Sequence, residues 1–197
     1  MKIGIDIDGV LNSQSDFCIE YGTKFCHELK QYKLEDSNAI NTTDMFLWGD
    51  NIAHKFWNKY RKDLVMKLPA KRFASEVIRK LKDENNEIYI ITARKNNDDW
   101  FSESLKNEVE NITKKWLKEN NIYYDKIFFD VEEKGLLCKN EKVDFMIEDD
   151  PEKIRKLIGN TNVIIFDCPY NRSSEFNDLI RAYSWYDIYN KINFKEK

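Results

Sequence analysis

Asp6 and Asp8, one residue apart, close the first apolar run of the chain and are followed at once by Gly9. Side chains two apart on a strand point the same way, so an apolar strand here delivers two carboxylates to one spot, and Gly9 lets the backbone turn sharply behind them. Like charges gathered at the end of an apolar segment are unfavourable unless a cation or a proton compensates them, which argues for a site rather than a solvated loop. A second acidic group, Glu148-Asp149-Asp150, ends a later apolar run and is followed by Pro151. Oxygen-only, carboxylate-rich ligation of this kind suits Mg²⁺, which takes one or two carboxylates together with phosphate oxygens and water. Thr92 directly follows the run 88–91, where its hydroxyl and the amides of Ala93 and Arg94 can donate to phosphate oxygens. A phosphate dianion among carboxylates needs more positive charge than one metal ion supplies, and Lys134, Lys139 and Lys142 stand ahead of the fourth run as candidates.

These residues can meet only if separate elements carry them to one edge. Apolar runs at 2–7, 87–91, 143–147 and 162–166, with a weaker one at 126–129, are strand-length and apolar at adjacent positions, the pattern of a parallel sheet covered on both faces. Helical stripes lie between them: Phe73, Val77, Ile78 and Leu81 behind a helix-opening Pro69; Leu105, Val109, Ile112 and Trp116; and Ile154 and Leu157 behind Pro151, with Asp150 as N-cap. Alternating strands and helices predict an α/β, doubly wound, Rossmann-like parallel sheet, whose strand carboxyl ends converge at the topological switch point. Residues 13–67 break the alternation and are too long for a βα loop. Phe17, Tyr21, Phe25 and Leu29, then Ile52, Phe56, Tyr60 and Leu64, recur every fourth residue. The expected organisation is a core domain of 1–12 and 68–197 with a helical cap of 13–67 inserted after the first strand, and a frayed tail at 193–197.

Composition narrows the partners. The 197 residues are 42% hydrophobic and 34% charged with net charge −3, and the charges are scattered, so no field for a nucleic-acid polymer is built in. No apolar run approaches the roughly 20 residues of a membrane span, and the acids near the start leave no signal-peptide stretch, so a cytoplasmic protein is expected. Cys18, Cys26, Cys138 and Cys168 lack CxxC spacing and read as buried, reduced thiols.

Together, Asp6-x-Asp8-Gly9-Val10, Thr92, a lysine and a late acidic pair, in that order across nearly the whole chain, resemble the four motifs of the haloacid dehalogenase-like phosphohydrolases. Ile91-Thr92-Ala93-Arg94, Thr113-x-x-Trp116-Leu117, Ile147-Glu148-Asp149-Asp150-Pro151, Pro169-Tyr170-Asn171-Arg172 and Ser184-Trp185 look like the branch of cytosolic 5′(3′)-deoxyribonucleotidases and their bacterial relatives. The resemblance implies a Mg²⁺-dependent phosphomonoesterase in which Asp6 is the nucleophile that becomes an aspartyl-phosphate. Asp8 would be the acid that protonates the leaving group and then the base that activates water. Mg²⁺ would be held by the Asp6 carboxylate, the Asp8 carbonyl and an acid of the fourth motif, Asp149 or Glu148. The strand end favours Asp149 as ligand with Glu148 in support. Lys134, opening a short helix, fits the motif lysine, with Thr92, Ala93 and Arg94 at the phosphate. Arg94 has the alternative of pairing with a neighbouring acid.

Substrate choice is thinner. The aromatic residues of 13–67 include Phe46 and Trp48, which lie in the polar link rather than on a stripe and are expected to face the cleft and stack on a flat base. The resemblance implies a small phosphorylated substrate, with a nucleoside monophosphate first and sugar phosphates as the alternative. A phospho-accepting switch module without turnover is the competing class, but such receivers phosphorylate an aspartate after a central strand and carry no helical insertion after the first. A phosphatase-like protein with vestigial catalysis would not need Asp6, Asp8 and Lys134 together. Whether the chain works alone or as a homodimer is left open by the sequence.

Overall fold

The structure, a computed structural model, describes residues 1–96 and 105–194. The four apolar runs and the weaker fifth become parallel strands: β1 (Lys2–Ile5), β2 (Glu87–Ile91), β3 (Lys126–Phe128), β4 (Phe145–Glu148) and β5 (Asn162–Phe166). A sixth, β6 (Ile180–Ala182), pairs with β5 at the sheet's edge. The order is β3-β2-β1-β4-β5-β6, every pairing parallel. The strand order reverses at β1, so the crevice for a ligand opens beyond the carboxyl ends of β1 and β4, where Asp6 and Asp149 leave the sheet.

Period two divides each strand between two cores. Ile3, Ile5, Ile88, Ile90 and Ile147 face α4 (Ala74–Asp83), α5 (Val109–Glu119) and α8 (Trp185–Asn193). Tyr89, Ile91, Met146 and Ile165 face α6 (Lys134–Glu141) and α7 (Pro151–Leu157). Both faces are covered, which is why the strands read as continuous apolar runs.

Several boundaries differ from the sequence reading. β1 stops at Ile5, although the Asp6 amide still donates to the Ile147 carbonyl at 3.1 Å. Pro69 does not open a helix: Ala70 forms an isolated bridge with Asn12, and α4 starts only after Phe73 in a left-handed conformation. The α5 stripe begins at Val109, with Leu105 ahead of it. α8 continues to Asn193, so that residue is not tail; 195–197 lie outside the described residues. All four cysteines are free and buried, and no helix among the described residues is long and apolar enough to cross a membrane.

The inserted segment forms α1 (Gln14–Leu29), α2 (Thr42–Phe46) and α3 (Asp50–Lys67), which share their own apolar cluster. Phe46 and Trp48 belong to it. They are 1% and 4% exposed and stack on each other with centroids 4.5 Å apart, so the expectation that they face the cleft is corrected. The reason is Gly22 on α1. A Cβ there would lie 2.3 Å from the Phe46 ring, so the missing side chain is the notch that takes the ring. Gly22→Val is accordingly expected to destabilise the protein by roughly 1–3 kcal/mol through overpacking. A denaturant midpoint equal to wild type would contradict this packing.

Candidate active site

The first loop is built around Asp6 and Asp8, which take different partners. Asp6 is 3% exposed and its Oδ1 accepts from Lys134 Nζ at 2.5 Å. Asp8 turns the other way: its oxygens accept from Arg94 Nε at 2.8 Å and Nη2 at 2.6 Å, and from Asn12 Nδ2 at 2.9 Å. Asn12 Oδ1 in turn accepts from the Gly9 amide, closing the loop on itself. Gly9, at φ +87°, is required twice over, since a Cβ would stand 1.9 Å from Asp149 Oδ2.

Of the three candidate lysines, Lys134 is the one that reaches the acids; Lys139 and Lys142 are exposed. Lys134 Nζ also donates to Glu148 Oε2 at 2.6 Å, and its side chain is fully buried. Glu148 is wholly buried too, and its other oxygen accepts from the Asp149 and Asp150 amides. Both Glu148 oxygens are thereby engaged. Asp149 is different: Oδ2 accepts from the Tyr170 hydroxyl, while Oδ1 is buried without a hydrogen-bond partner. Asp6, Glu148 and Asp149 bring ligand oxygens within 4.8 Å of one another. A buried, unsatisfied carboxylate oxygen in an all-oxygen cluster fits a hard divalent cation. The Asp8 carboxylate is not in this cluster, so as a sequence-predicted metal residue it has only its backbone carbonyl to offer.

The charges have visible consequences. Burial, with help from Glu148 and against the pull of Lys134, pushes the Asp6 carboxyl up to about 6. Burial, and then the Glu148 and Asp6 charges, raise Asp149 well above the carboxylate range. For Asp8, burial acts upward but the Arg94 guanidinium outweighs it and holds the group below that range. Lys134 is raised because Asp6 and Glu148 together overcome its burial.

Thr92 is 1% exposed at the end of β2, and its hydroxyl accepts from the Arg94 amide at 3.2 Å. That amide, expected at a phosphate, is therefore taken. The Arg94 side chain takes the second of its two alternatives: it grips Asp8 and donates to Thr113 Oγ1 at 3.2 Å, correcting its placement among substrate-binding groups. Asp150 caps α7 by accepting from the Glu152 and Lys153 amides. Asp6, Asp8, Thr92, Ala93, Arg94 and Asp149 line one cavity of about 390 Å³, walled on the far side by Gln14, Ser15, Cys18, Ile40 and Arg61 of the inserted segment.

Three functional positions were missed as such. Asn171 Nδ2 donates to the Asp149 carbonyl at 2.8 Å and to the Phe166 carbonyl at 2.9 Å, fixing the chain beneath the ligand cluster. Tyr170 holds Asp149 Oδ2, and Tyr170 and Asn171 both lie in the Pro169-Tyr170-Asn171-Arg172 motif, which by itself assigns them no role. Lys153 reaches the cavity wall two residues after Pro151, in the first turn of α7.

The family model described as 5′ nucleotidase, deoxy (pyrimidine), cytosolic type C protein matches residues 1–197. The chain belongs to this family. It is a hydrolase of phosphomonoesters in the haloacid dehalogenase-like superfamily, whose nucleotidases and phosphatases act on small phosphorylated substrates. Among curated proteins it is 25% identical over 202 residues to "Putative nucleotidase YqfW" of Bacillus subtilis, covering 98% of this chain and 94% of that one. It is 24% identical over 208 residues to "Nucleotidase CA_C3379" of Clostridium acetobutylicum, with the same coverage. A solved haloacid dehalogenase-like hydrolase, SP0104 of Streptococcus pneumoniae, has the same fold, with a TM-score of 0.66, 14% identity and 98% of each chain covered.

Proposed function

We propose that this family member hydrolyses nucleoside monophosphates with Mg²⁺, through a phosphoryl group carried on Asp6, with residues 13–67 as a cap over the reaction. The observation that supports it most is the unsatisfied Oδ1 of Asp149 beside Asp6 on the cavity floor. Asp6 and Asp149 would hold the ion, with Glu148 steering Lys134 and the two following amides. The ion supplies charge neutralisation at the transferring phosphoryl group.

In the first half, an Asp6 oxygen bonds to phosphorus as the bond to the leaving oxygen breaks, and Asp8 gives that oxygen a proton. In the second, water attacks the same phosphorus, Asp8 takes its proton and Asp6 is freed. Arg94 keeps Asp8 ionised in the free protein, which suits the base role. For an alcohol leaving group Asp8 must first carry a proton, so the Arg94 grip has to loosen as substrate enters.

The leaving group has a place to lie. The reaction cavity shares Gln14, Ile40 and Arg61 with a neighbouring cavity of about 410 Å³, which adds Asn41, Thr43, Asp50 and Trp57. Trp57 is half-buried and Arg61 lies over its ring at 5.1 Å, so a flat, hydrogen-bonding base has a ring to stack on where Phe46 and Trp48 offer none. Phosphate release across a panel of phosphomonoesters is expected to rank deoxynucleoside monophosphates near the top and to stop with a chelator. Trp57→Ala is expected to cost nucleotides about 10-fold in kcat/KM while sparing p-nitrophenyl phosphate. Sugar phosphates preferred by a large factor would remove the nucleotide reading.

A further inference from the structure

Two adjacent residues of the three-residue turn Pro169–Asn171 decide how Asp149 sits. The Tyr170 hydroxyl takes Oδ2 and the Asn171 amide takes the main-chain carbonyl, which leaves Oδ1 without a partner in the cluster with Asp6 and Glu148. The turn is closed by the Asn171 amide N–H donating to the Cys168 carbonyl at 3.1 Å. So short a 3₁₀ turn holds itself weakly, and its setting has to come from outside. Arg181 on β6 supplies it. Its Nη1 donates to Asn171 Oδ1 at 2.6 Å and its Nη2 to the Asn171 carbonyl at 2.8 Å, two prongs of one planar fork on one residue. Nη1 also donates to Asp167 Oδ1 at 2.9 Å, which gives the half-buried guanidinium its counter-charge.

The Asn171 side chain is wholly buried and its hydrogen-bonding capacity is full. Nδ2 gives one proton to the Asp149 carbonyl and one to the Phe166 carbonyl, while Oδ1 accepts from the Cys168 amide at 3.1 Å and from Arg181. Turned over, the amide would set donors against donors and an oxygen against two carbonyls, so the guanidinium fixes its sense. We propose that Arg181 is a positioning residue for the cation site, acting through Asn171 to set the Asp149 main chain and with it the oxygen that Asp149 presents. The inference rests on reading Asp6 and Asp149 as ligands of a divalent ion. Arg172 provides the contrast. It pairs with the same Asp167 at 2.7 Å from the exposed side, so removing it changes the charge at Asp167 but leaves the fork on Asn171 in place.

The test is calorimetric titration of the whole protein with Mg²⁺ alone, beside unfolding curves and steady-state rates with p-nitrophenyl phosphate at graded Mg²⁺. Arg181→Met is expected to weaken Mg²⁺ about 10-fold, the low end of what losing a group behind a metal ligand costs. The Mg²⁺ concentration that gives half the maximal rate should rise by the same factor while kcat at saturating Mg²⁺ stays at the wild-type level, a split that loss of folded protein does not produce. Arg181→Lys keeps the charge beside Asp167 but not the fork. It should weaken Mg²⁺ measurably, though less than Arg181→Met, and it answers the question if the methionine variant does not fold. Arg172→Met should bind Mg²⁺ as wild type does. Affinity equal to wild type in every folded Arg181 variant, or the same loss in Arg172→Met, would overturn the proposal and leave Arg181 as a strut of the sheet edge, with the reading of the cavity intact. A wild-type protein that binds no Mg²⁺ would overturn both.

Discussion

Asp6→Asn is expected to abolish phosphomonoester turnover, by about four orders of magnitude or more, while the protein keeps its fold. The amide has the shape of the carboxylate and its oxygen can still accept from Lys134, whose second partner, Glu148, is untouched. Missing is the anionic oxygen that would bond to phosphorus, and no neighbour replaces it. Asp8 is turned towards Arg94 and Asn12, Glu148 has both oxygens engaged, and Asp149 is committed to Tyr170 and to the candidate cation. Initial rates with p-nitrophenyl phosphate, alongside an unfolding curve, check this. A variant retaining activity within 10-fold of wild type would show that the covalent step does not run through Asp6.

Lys134→Met carries the second large effect, first on stability. Removing this ammonium leaves Asp6 and Glu148 as buried carboxylates without their cation, beside a third at Asp149. Breaking a buried pair from one side costs roughly 3–5 kcal/mol, which for a chain of this size is about a 10 °C fall in Tm. Activity should fall at least 100-fold, because Asp6 loses the group that fixes its oxygen. Adding Glu148→Gln to Lys134→Met is expected to recover part of the stability by removing one uncompensated charge, without recovering activity. A Tm within a degree of wild type for the single variant would contradict the buried triad.

Much of the fold is legible in the sequence. Strands β1 to β5 announced themselves because a sheet covered on both faces needs apolar side chains at every position, and Asp6, Asp8 and Asp149 stood out against those runs. β6 did not, because an edge strand needs only three residues and buries one of them fully, Ala182. Phe46 and Trp48 were misplaced because local spacing says nothing about a notch 24 residues away at Gly22. Arg94 and Asp8 are 86 residues apart, and nothing in either neighbourhood decides between an acid and a phosphate for the guanidinium. Lys153 was passed over for a comparable reason. Its residue type is commonplace on a helix, and only the fold brings it to the cavity wall.

The proposed reaction requires that Asp6 accept a phosphoryl group beside a divalent ion shared with Asp149. A crystal structure of the protein soaked with Mg²⁺ and beryllium fluoride tests it most directly, since trifluoroberyllate bonds to a carboxylate oxygen in the shape of an acyl phosphate. The predicted result is beryllium bonded to Asp6 with Mg²⁺ between Asp6 and Asp149. Beryllium on another side chain, or a metal ion held away from Asp149, would contradict it.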